Sequence, residues 1–182
     1  VKEIQPEIFN SVPRLLERVY DRIIGKGKDL KGIKKQIFFW AVNLGFKYNP
    51  NGNSATYKFK LKIADRLVFS KWREALGGKL QIVVSGGAAL QSRLAHIFWA
   101  AGIKVLEGYG LTETSPVIAV NNLTRWEIMF GTVGPVIDGV EVKIANDGEI
   151  LCKGPNIMKG YYKAPDLTAE VIDEEGWFHT GD

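Results

Sequence analysis

Cysteine and histidine are scarce in this chain, whose 182 residues include one cysteine and two histidines. A single cysteine cannot form an internal disulfide, and the two histidines lie too far apart in the sequence for a Cys/His metal site. Cys152 lies in an alternating apolar run, where we expect a buried and unreactive side chain. These absences exclude a disulfide framework and a Cys/His metal module.

Long apolar runs are also missing. No run approaches the roughly 20 residues that are needed to span a bilayer. The N-terminal stretch 1–9 carries charges where a signal peptide would be apolar. We therefore expect a cytoplasmic protein. Because Val1 is not a methionine and Asp182 ends a segment with the pattern of a strand or loop, we interpret the chain as cut at both ends.

The charge balance is only mildly basic, with a formal net charge of +4. Basic residues are densest between residues 22 and 35, where Lys31, Lys34 and Lys35 share a face if that stretch is helical. A solvated helix face, an anionic membrane surface and an acidic partner all fit this pattern. The arginine and aromatic interleaving of RNA-binding sheets is absent, so we expect no nucleic-acid partner.

The first 76 residues are predicted to be mainly helical. Ser11 is a good N-cap with Pro13 in the first turn, so a helix is expected to begin there. Gly25 and Gly27 are expected to end it. Further elements are predicted at residues 30–44 (helix), 48–55 (loop) and 60–76 (helix).

The middle of the chain has an α/β pattern. Predicted strands at residues 80–84 and 103–106 are separated by a helix at 90–101, which implies parallel pairing in a covered sheet. Beyond about residue 132 the pattern becomes all-β, with a hairpin formed by residues 140–145 and 149–153. A short helix at 165–172 and a strand from Trp177 follow.

The predicted fold class is therefore α/β, with a partial parallel-sheet subdomain followed by a small β-rich segment. The border is expected near residues 125–135, which gives an α/β part at 1–130 and a β-rich part at 131–182.

Two loops follow the predicted parallel strands, where open α/β sheets bind ligands. The first is SGGAAL at Ser85–Leu90, whose glycines allow a flat or anionic ligand to approach the backbone. A simple turn that joins strand to helix explains this composition equally well.

The second loop is EGYGLTET at Glu107–Thr114. Tyr109 offers a stacking face, Thr112 a hydroxyl donor for a phosphate, and Glu113 an oxygen ligand suited to Mg²⁺. The alternative is an ordinary surface turn in which Thr112 or Thr114 caps a helix.

Three ordered motifs carry a resemblance to a known superfamily. They are YGLTE at 109–113, GEILCKGPNIMKGYYKAP at 148–165 and WFHTGD at 177–182. This combination resembles the adenylate-forming enzymes, which include acyl-CoA synthetases, firefly luciferase and the adenylation domains of nonribosomal peptide synthetases. The segments SVPRLLERVYDRI and KWREALGG are similar to the long-chain fatty acyl-CoA synthetase branch, so the resemblance runs over essentially the whole chain.

The resemblance implies part of the large N-terminal domain of an AMP-forming fatty-acid–CoA ligase. In that reaction a carboxylate and ATP give acyl-AMP, and coenzyme A then displaces AMP. ATP or AMP, Mg²⁺, coenzyme A and a fatty acid are the implied cofactors and partners. An enzyme for another acid, such as an aryl or amino acid, and a non-catalytic binding module are the alternatives.

The resemblance also implies a role for each matching residue. Thr112 binds the AMP phosphate and Glu113 ligates Mg²⁺, which makes these two the candidate catalytic residues. Gly108 and Gly110 flank the path of the acyl chain. The remaining candidates bind nucleotide: Gly86, Gly87 and Ala88 as backbone walls of the adenine and acyl site, Tyr109 by stacking on adenine beside Gly110, and Asp182 through the ribose hydroxyls.

Parts of the superfamily pattern are not found in this sequence. The phosphate-binding loop ending in Lys-Gly is not found before Tyr109, and the C-terminal domain with its adenylation lysine is absent. We therefore expect the chain alone to be inactive and to self-associate. A peripheral membrane contact stays open.

Overall fold

The computed structural model describes residues 3–123 and 128–182, so part of the predicted border, residues 125–127, lies outside the described residues. The chain forms two compact units. The first comprises Val1–Glu107 and Asn122–Thr132, and the second comprises Gly108–Asn121 and Val133–Asp182.

Five α-helices dominate the first unit. A π-helical segment, Asp65–Phe69, joins α3 (Ala55–Ala64) to α4 (Ser70–Ala75). The helix predicted at 60–76 therefore begins earlier and is irregular in its middle. The Ser54 hydroxyl caps α3 by accepting a hydrogen bond from the Tyr57 backbone N–H at 3.2 Å. The helices are α1 Pro13–Asp29, α2 Gly32–Gly45, α3 Ala55–Ala64, α4 Ser70–Ala75 and α5 Ser92–Ala100.

The bounds predicted for α1 were wrong at both ends. Ser11 is the last residue of a strand, β1 (Ile8–Ser11), and the N-cap is Val12, which makes no side-chain cap. The helix also continues through Gly25 and Gly27 to Asp29. A Cβ at Gly27 would overlap the ring of Phe38 in α2, so this close packing offsets the roughly 1 kcal/mol cost of a helical glycine.

The sheet of the first unit is parallel, as predicted from its strand–helix–strand order. β1 pairs with β2 (Ile82–Ser85), and β2 pairs with β3 (Lys104–Tyr109). The hydrophobic core of this unit includes the side chains of Phe69 and Phe98, which have no solvent exposure.

The second unit is rich in short antiparallel strands. The last two residues of β3 pair with β4 (Ala119–Val120). The predicted hairpin is confirmed as β5 (Glu141–Ile144) and β6 (Ile150–Lys153), and β7 (Phe178–His179) extends it into a three-stranded sheet. Cys152 is fully buried with Ile118 and Phe178, as predicted. The remaining elements are β5 Glu141–Ile144, β6 Ile150–Lys153, α6 Pro165–Val171 and β7 Phe178–His179.

The predicted α/β fold, with parallel strands followed by a small β-rich segment, is confirmed. Among the described residues, no helix combines the length and the apolar character that crossing a membrane requires.

Candidate functional site

The loop Tyr109–Thr114 leaves β3 through a very close backbone crossing. A Cβ at Gly110 would overlap the carbonyl oxygen of Pro116, so this position has no room for a side chain. At Gly108 a Cβ would meet the Val120 side chain at 3.4 Å, which is an ordinary contact. The two glycines of the candidate acyl path therefore have different constraints.

A short 3-10 turn, Thr112–Thr114, follows the crossing. The Thr114 hydroxyl accepts a hydrogen bond from the Leu111 N–H and donates one to the Leu111 carbonyl, both at 3.0 Å. Thr114 is fully buried, and these two hydrogen bonds cap the turn. The sequence had left open whether Thr112 or Thr114 is the capping residue. The Thr112 side chain is exposed and has no hydrogen-bond partner among the described residues, which leaves its hydroxyl available to a ligand.

The motif at residues 148–165, called the second motif below, also holds this turn. The Asn156 side-chain amide donates to the carbonyl oxygens of Thr114 at 3.1 Å and of Val117 at 3.0 Å. The Asn156 Oδ1 atom is buried and has no partner among the described residues. No role was predicted for Asn156 from the sequence, although it lies within the motif at residues 148–165.

Glu113 is also tied to the second motif. Its carboxylate accepts a hydrogen bond from the Tyr161 hydroxyl at 3.0 Å, and its carbonyl accepts one from the Met158 N–H at 2.7 Å. The hydrogen bond to this carboxylate raises the pKa of Tyr161 above its ordinary value. Tyr161 therefore orients one carboxylate oxygen, and the described residues give the other oxygen no partner.

Tyr109 and Asp182 meet although 73 positions separate them in the sequence. The Tyr109 hydroxyl donates to Asp182 Oδ2 at 2.7 Å. Burial raises the pKa of Tyr109 to about 12, and the Asp182 carboxylate adds to the increase. The phenol therefore stays protonated at neutral pH and keeps its role as donor, while Asp182 remains exposed.

Glu149 fixes the last residues of the chain. Its carboxylate accepts a hydrogen bond from the Gly181 N–H at 2.8 Å and contacts the His179 ring nitrogen Nδ1 at 2.9 Å. The Ile150 N–H donates to the Asp182 carbonyl at 3.0 Å. His179 is thus a supporting side chain, and Glu149, which had been given no role, positions the segment that carries Asp182.

The loop Ser85–Leu90 belongs to the first unit, with Gly86, Gly87 and Ala88 at its centre. The Gly86 N–H donates to the Ser11 carbonyl at 3.2 Å, and Gly87 has a positive φ of +80°, which favours glycine. Gly87 and Ala88 are exposed, so their backbone is accessible to a ligand.

A buried carboxylate holds the end of this loop. Glu107 is 7% exposed and accepts hydrogen bonds from the N–H groups of Leu90 and Gly131, both at 3.3 Å. Burial raises the pKa of Glu107 above its ordinary value of 4.5, and the two N–H donors partly oppose the increase. No role was predicted for Glu107, because its partners Leu90 and Gly131 are distant in the sequence.

The predicted site residues therefore fall into two groups. Tyr109, Gly110, Thr112, Glu113 and Asp182 belong to the second unit, where hydrogen bonds link Tyr109 directly to Asp182. The loop Ser85–Leu90, called the glycine loop below, belongs to the first unit. Within the described residues, no group of three or more His, Cys, Asp or Glu side chains is arranged to hold a metal ion.

Sequence comparisons identify relatives along the whole chain. It is 38% identical over 184 residues to the long-chain-fatty-acid–CoA ligase FadD15 of Mycobacterium bovis, a match that covers 98% of the chain and 30% of the relative. It is also 38% identical over 194 residues to the peroxisomal long chain acyl-CoA synthetase 6 of Arabidopsis thaliana, covering 98% of the chain and 27% of the relative. The chain thus spans about a third or less of their length.

Solved structures of adenylating enzymes share the fold. The anthranilate CoA ligase AuaEII, in complex with anthranoyl-AMP, matches with a TM-score of 0.61 and 17% identity over 100% of the chain and 28% of that protein. The ATP-bound chimera RpMatB-BxBclM B3 matches with a TM-score of 0.51 and 30% identity over 68% of the chain and 26% of that protein.

The family profile described as AMP-binding enzyme matches residues 1–162. This match covers most of the chain and includes the glycine loop, the Tyr109–Thr114 loop and most of the second motif. The resemblance found in the sequence is thereby confirmed, and the chain belongs to the family of AMP-binding enzymes.

Proposed function

We propose that the chain is part of an ATP-dependent fatty acyl-CoA ligase, which activates a carboxylate as acyl-AMP and transfers the acyl group to coenzyme A. The observation that carries the proposal is the 2.7 Å hydrogen bond between Tyr109 and Asp182. It joins the candidate adenine and ribose residues within the unit that also contains Thr112 and Glu113. The names of the relatives, long-chain-fatty-acid–CoA ligases, support the acid class.

The exposed side chains of the second unit suit the nucleotide. The Asp182 carboxylate accepts hydrogen bonds from the two ribose hydroxyls, because one carboxylate can bind a vicinal diol. Tyr109 packs its ring against adenine while its hydroxyl keeps Asp182 in place. The Thr112 hydroxyl donates to the AMP phosphate, where it stabilises charge as the α-phosphorus is attacked.

A single carboxylate suits Mg²⁺ in this setting. Magnesium in nucleotide sites is bound through one or two carboxylates together with substrate phosphates and water, so Glu113 alone is an adequate protein ligand. The oxygen that Tyr161 does not engage is the one we assign to the metal. When bound, Mg²⁺ neutralises phosphate charge as pyrophosphate leaves.

The acyl group and coenzyme A complete the proposal. Gly108 and Gly110 border the acyl path, and only Gly108 has room for a Cβ. For the first unit we propose a nucleotide- and acyl-binding role for the backbone of Gly86, Gly87 and Ala88, which the positive φ of Gly87 and the exposure of Gly87 and Ala88 support.

We further propose a cytoplasmic ligase with a peripheral contact to anionic membranes. Lys28, Lys31 and Lys35, which are exposed at the end of α1 and the start of α2, support the membrane contact, because anionic lipid attracts such clusters. Exposed apolar side chains support self-association, since such surfaces favour contacts between molecules. Among them are Ile33 and Phe59, at 71% and 66% exposure.

The test is acid-dependent ATP–pyrophosphate exchange in the full-length ligase, meaning this sequence extended to the length of its relatives. Exchange is expected with long-chain fatty acids. Exchange only with aryl or amino acids would assign the alternative acid class. No exchange with any acid would leave a non-catalytic binding module.

The variant Asp182→Ala is expected to weaken ATP binding by about 2 kcal/mol, or roughly thirtyfold, because hydrogen bonds to a charged acceptor contribute about 1.5 to 3 kcal/mol. Glu174→Ala, which removes an exposed carboxylate from the turn before β7, is the matched control and should leave binding unchanged. Calorimetry measures both affinities. Unchanged ATP affinity in a folded Asp182→Ala protein would show that the ribose role is wrong.

A further inference from the structure

A cavity of about 880 Å³ opens in the first unit between α1, α2, the π-helical segment and α4. Its deep surface is apolar and includes the buried side chains of Phe38, Val68 and Trp72. The volume lies in the range of pockets that bind small molecules. None of the candidate nucleotide residues contributes to it.

The charged side chains that line this cavity are all basic. Among the residues that the structure describes, no Asp or Glu lines it. Three of the cations are spaced by four residues along α1 and therefore share one face of the helix, although like charges at this spacing repel each other. The five are Arg18, Arg22 and Lys26 from α1, Lys34 from α2 and Lys71 from α4.

These five cations have no carboxylate partner among the described residues. None of them forms an ion pair in that part of the chain, whereas Arg73, two positions after Lys71, pairs with Asp65. An unpaired cluster of one sign creates a positive potential that attracts an external anion. The arrangement therefore differs from a solvated helix face with alternating charges.

The floor of the cavity carries a further unused donor. Trp72 is 4% exposed, and its indole nitrogen Nε1 is buried without a hydrogen-bond partner in the described part of the chain. An indole N–H can only donate, and a buried one is usually paired with an acceptor. The apolar floor, the basic mouth and this donor all suit one kind of ligand, an alkyl chain that ends in acceptor oxygens with negative charge.

We propose that this cavity binds a single-chain amphipathic carboxylate, a long-chain fatty acid, at a site separate from the adenylation residues. The alkyl chain packs on Phe38, Val68 and Trp72, and the carboxylate lies among the cations of the mouth. A concave site with a buried aromatic floor fits one inserted chain rather than a flat membrane surface. The proposal does not depend on the proposed function, because binding requires neither ATP nor turnover.

The experiment uses the full-length ligase with its catalytic site filled by a stable palmitoyl-sulfamoyl adenosine. A dansyl-labelled undecanoate is the fluorescent probe, and laurate is the competitor. One further saturable site is expected, from which laurate displaces the probe but butyrate and dodecyltrimethylammonium do not. If the ligase has no adenylation activity, the same probe titration without the analogue still measures this site.

Variants separate this cavity from general charge attraction. Arg22→Glu with Lys26→Glu should weaken probe binding about tenfold or more, because it replaces two attractive charges at the mouth by repulsive ones. Lys28→Glu with Lys31→Glu makes the same charge change at exposed positions that do not line the cavity, and should weaken binding by less than about threefold. Ala75→Trp, which places a large side chain at a lining position of α4, should weaken probe binding at the further site.

Three results would overturn the proposal. The first is the absence of the further site, and the second is an equal loss in the two charge-reversed pairs. The third is a protein that binds anionic phosphatidylserine vesicles but not monomeric laurate, and whose vesicle binding is abolished by Arg22→Glu with Lys26→Glu. That third result would assign the basic surface to the membrane.

Discussion

The two candidate ligand loops are held by different kinds of interaction. The loop Ser85–Leu90 in the first unit is fixed at its end by one buried ionisable group, the Glu107 carboxylate, which accepts two backbone N–H groups. The loop Tyr109–Thr114 in the second unit is held by a close backbone crossing at Gly110 and by the neutral side chains of Thr114 and Asn156.

The two loops are therefore expected to respond to different perturbations. A loop fixed by a carboxylate with a raised pKa is sensitive to pH, since protonation changes the group that holds it. A loop fixed by neutral hydrogen bonds and a steric crossing is sensitive to side-chain volume. Four predictions test this contrast, in order of decreasing effect.

The largest effect is expected for Gly110→Ala. Because the new Cβ overlaps the Pro116 carbonyl, the backbone must shift, and we expect a loss of about 3 kcal/mol in the free energy of unfolding. Urea denaturation measures the loss. Gly108→Ala is the matched control two residues earlier, where the Cβ makes only an ordinary contact with Val120, and it should cost less than about 1 kcal/mol. Equal costs at both positions would contradict the crossing.

Asn156→Asp should cost about 2 kcal/mol, because it removes both donated hydrogen bonds and places a carboxylate against the Thr114 and Val117 carbonyls. The replacement keeps the size and shape of the side chain, so thermal or urea unfolding reports the lost donors and the added charge without a change in packing. The control is Asn43→Ala, which changes an exposed asparagine on α2 and should be nearly neutral. A stable Asn156→Asp protein would show that these bonds do not hold the loop.

Glu107→Gln should cost about 1 kcal/mol near neutral pH, since one acceptor remains for the two N–H groups. The pH dependence is the sharper test. Burial raises the folded pKa of Glu107 above 4.5, so its unfolded form ionises first and the native state loses stability as pH rises from about 4.5 through the folded pKa. Glu107→Gln removes this contribution.

Urea unfolding from about pH 4 to about pH 8 measures this effect as the difference between the parent and Glu107→Gln. The parent should lose unfolding free energy relative to the variant as pH rises. Asn156→Asp introduces a carboxylate and is unsuitable as a pH control, so Gly108→Ala serves, and its difference from the parent should stay constant. A pH-independent difference for Glu107→Gln would contradict the proposed contrast.

The smallest effect is expected for Tyr161→Phe. An exposed hydrogen bond contributes about 0.5 kcal/mol, so stability should barely change. In the full-length ligase the Mg²⁺ concentration for half-maximal pyrophosphate exchange should shift by less than about threefold, because the hydrogen bond from Tyr161 to the Glu113 carboxylate is exposed and water replaces it. Tyr162→Phe, the exposed neighbour, is the control. A shift of tenfold or more would make Tyr161 a major determinant of the metal site.

Local patterns predicted the elements whose signals lie within a few residues. The hairpin of β5 and β6 follows from alternating apolar residues around Asn146, Asp147 and Gly148, and the parallel pairing of β2 and β3 follows from the helix between them. β1 was missed because four residues, Ile8–Ser11, become a strand only by pairing with residues more than 70 positions later. The Ser11 side chain then resembled a helix cap that it does not form.

The candidate site shows the same division. Tyr109, Thr112, Glu113 and Asp182 were identified because their side-chain types stand in recognisable motifs. The side chains that position them were not identified, since a sequence does not show which distant groups meet. Asn156 reaches a carbonyl 42 positions away, and Glu149 binds His179 across 30 positions.

The passage of α1 through Gly27 has a consequence for the order in which the first unit assembles. Two glycines in the last five residues give this end of the helix little intrinsic helicity, and its stability depends on Phe38 packing where a Cβ is missing. The C-terminal turn of α1 therefore forms only once α2 has docked. Its amide protons should exchange with solvent faster than those near Leu16, at a rate that reports the opening of the contact between the two helices.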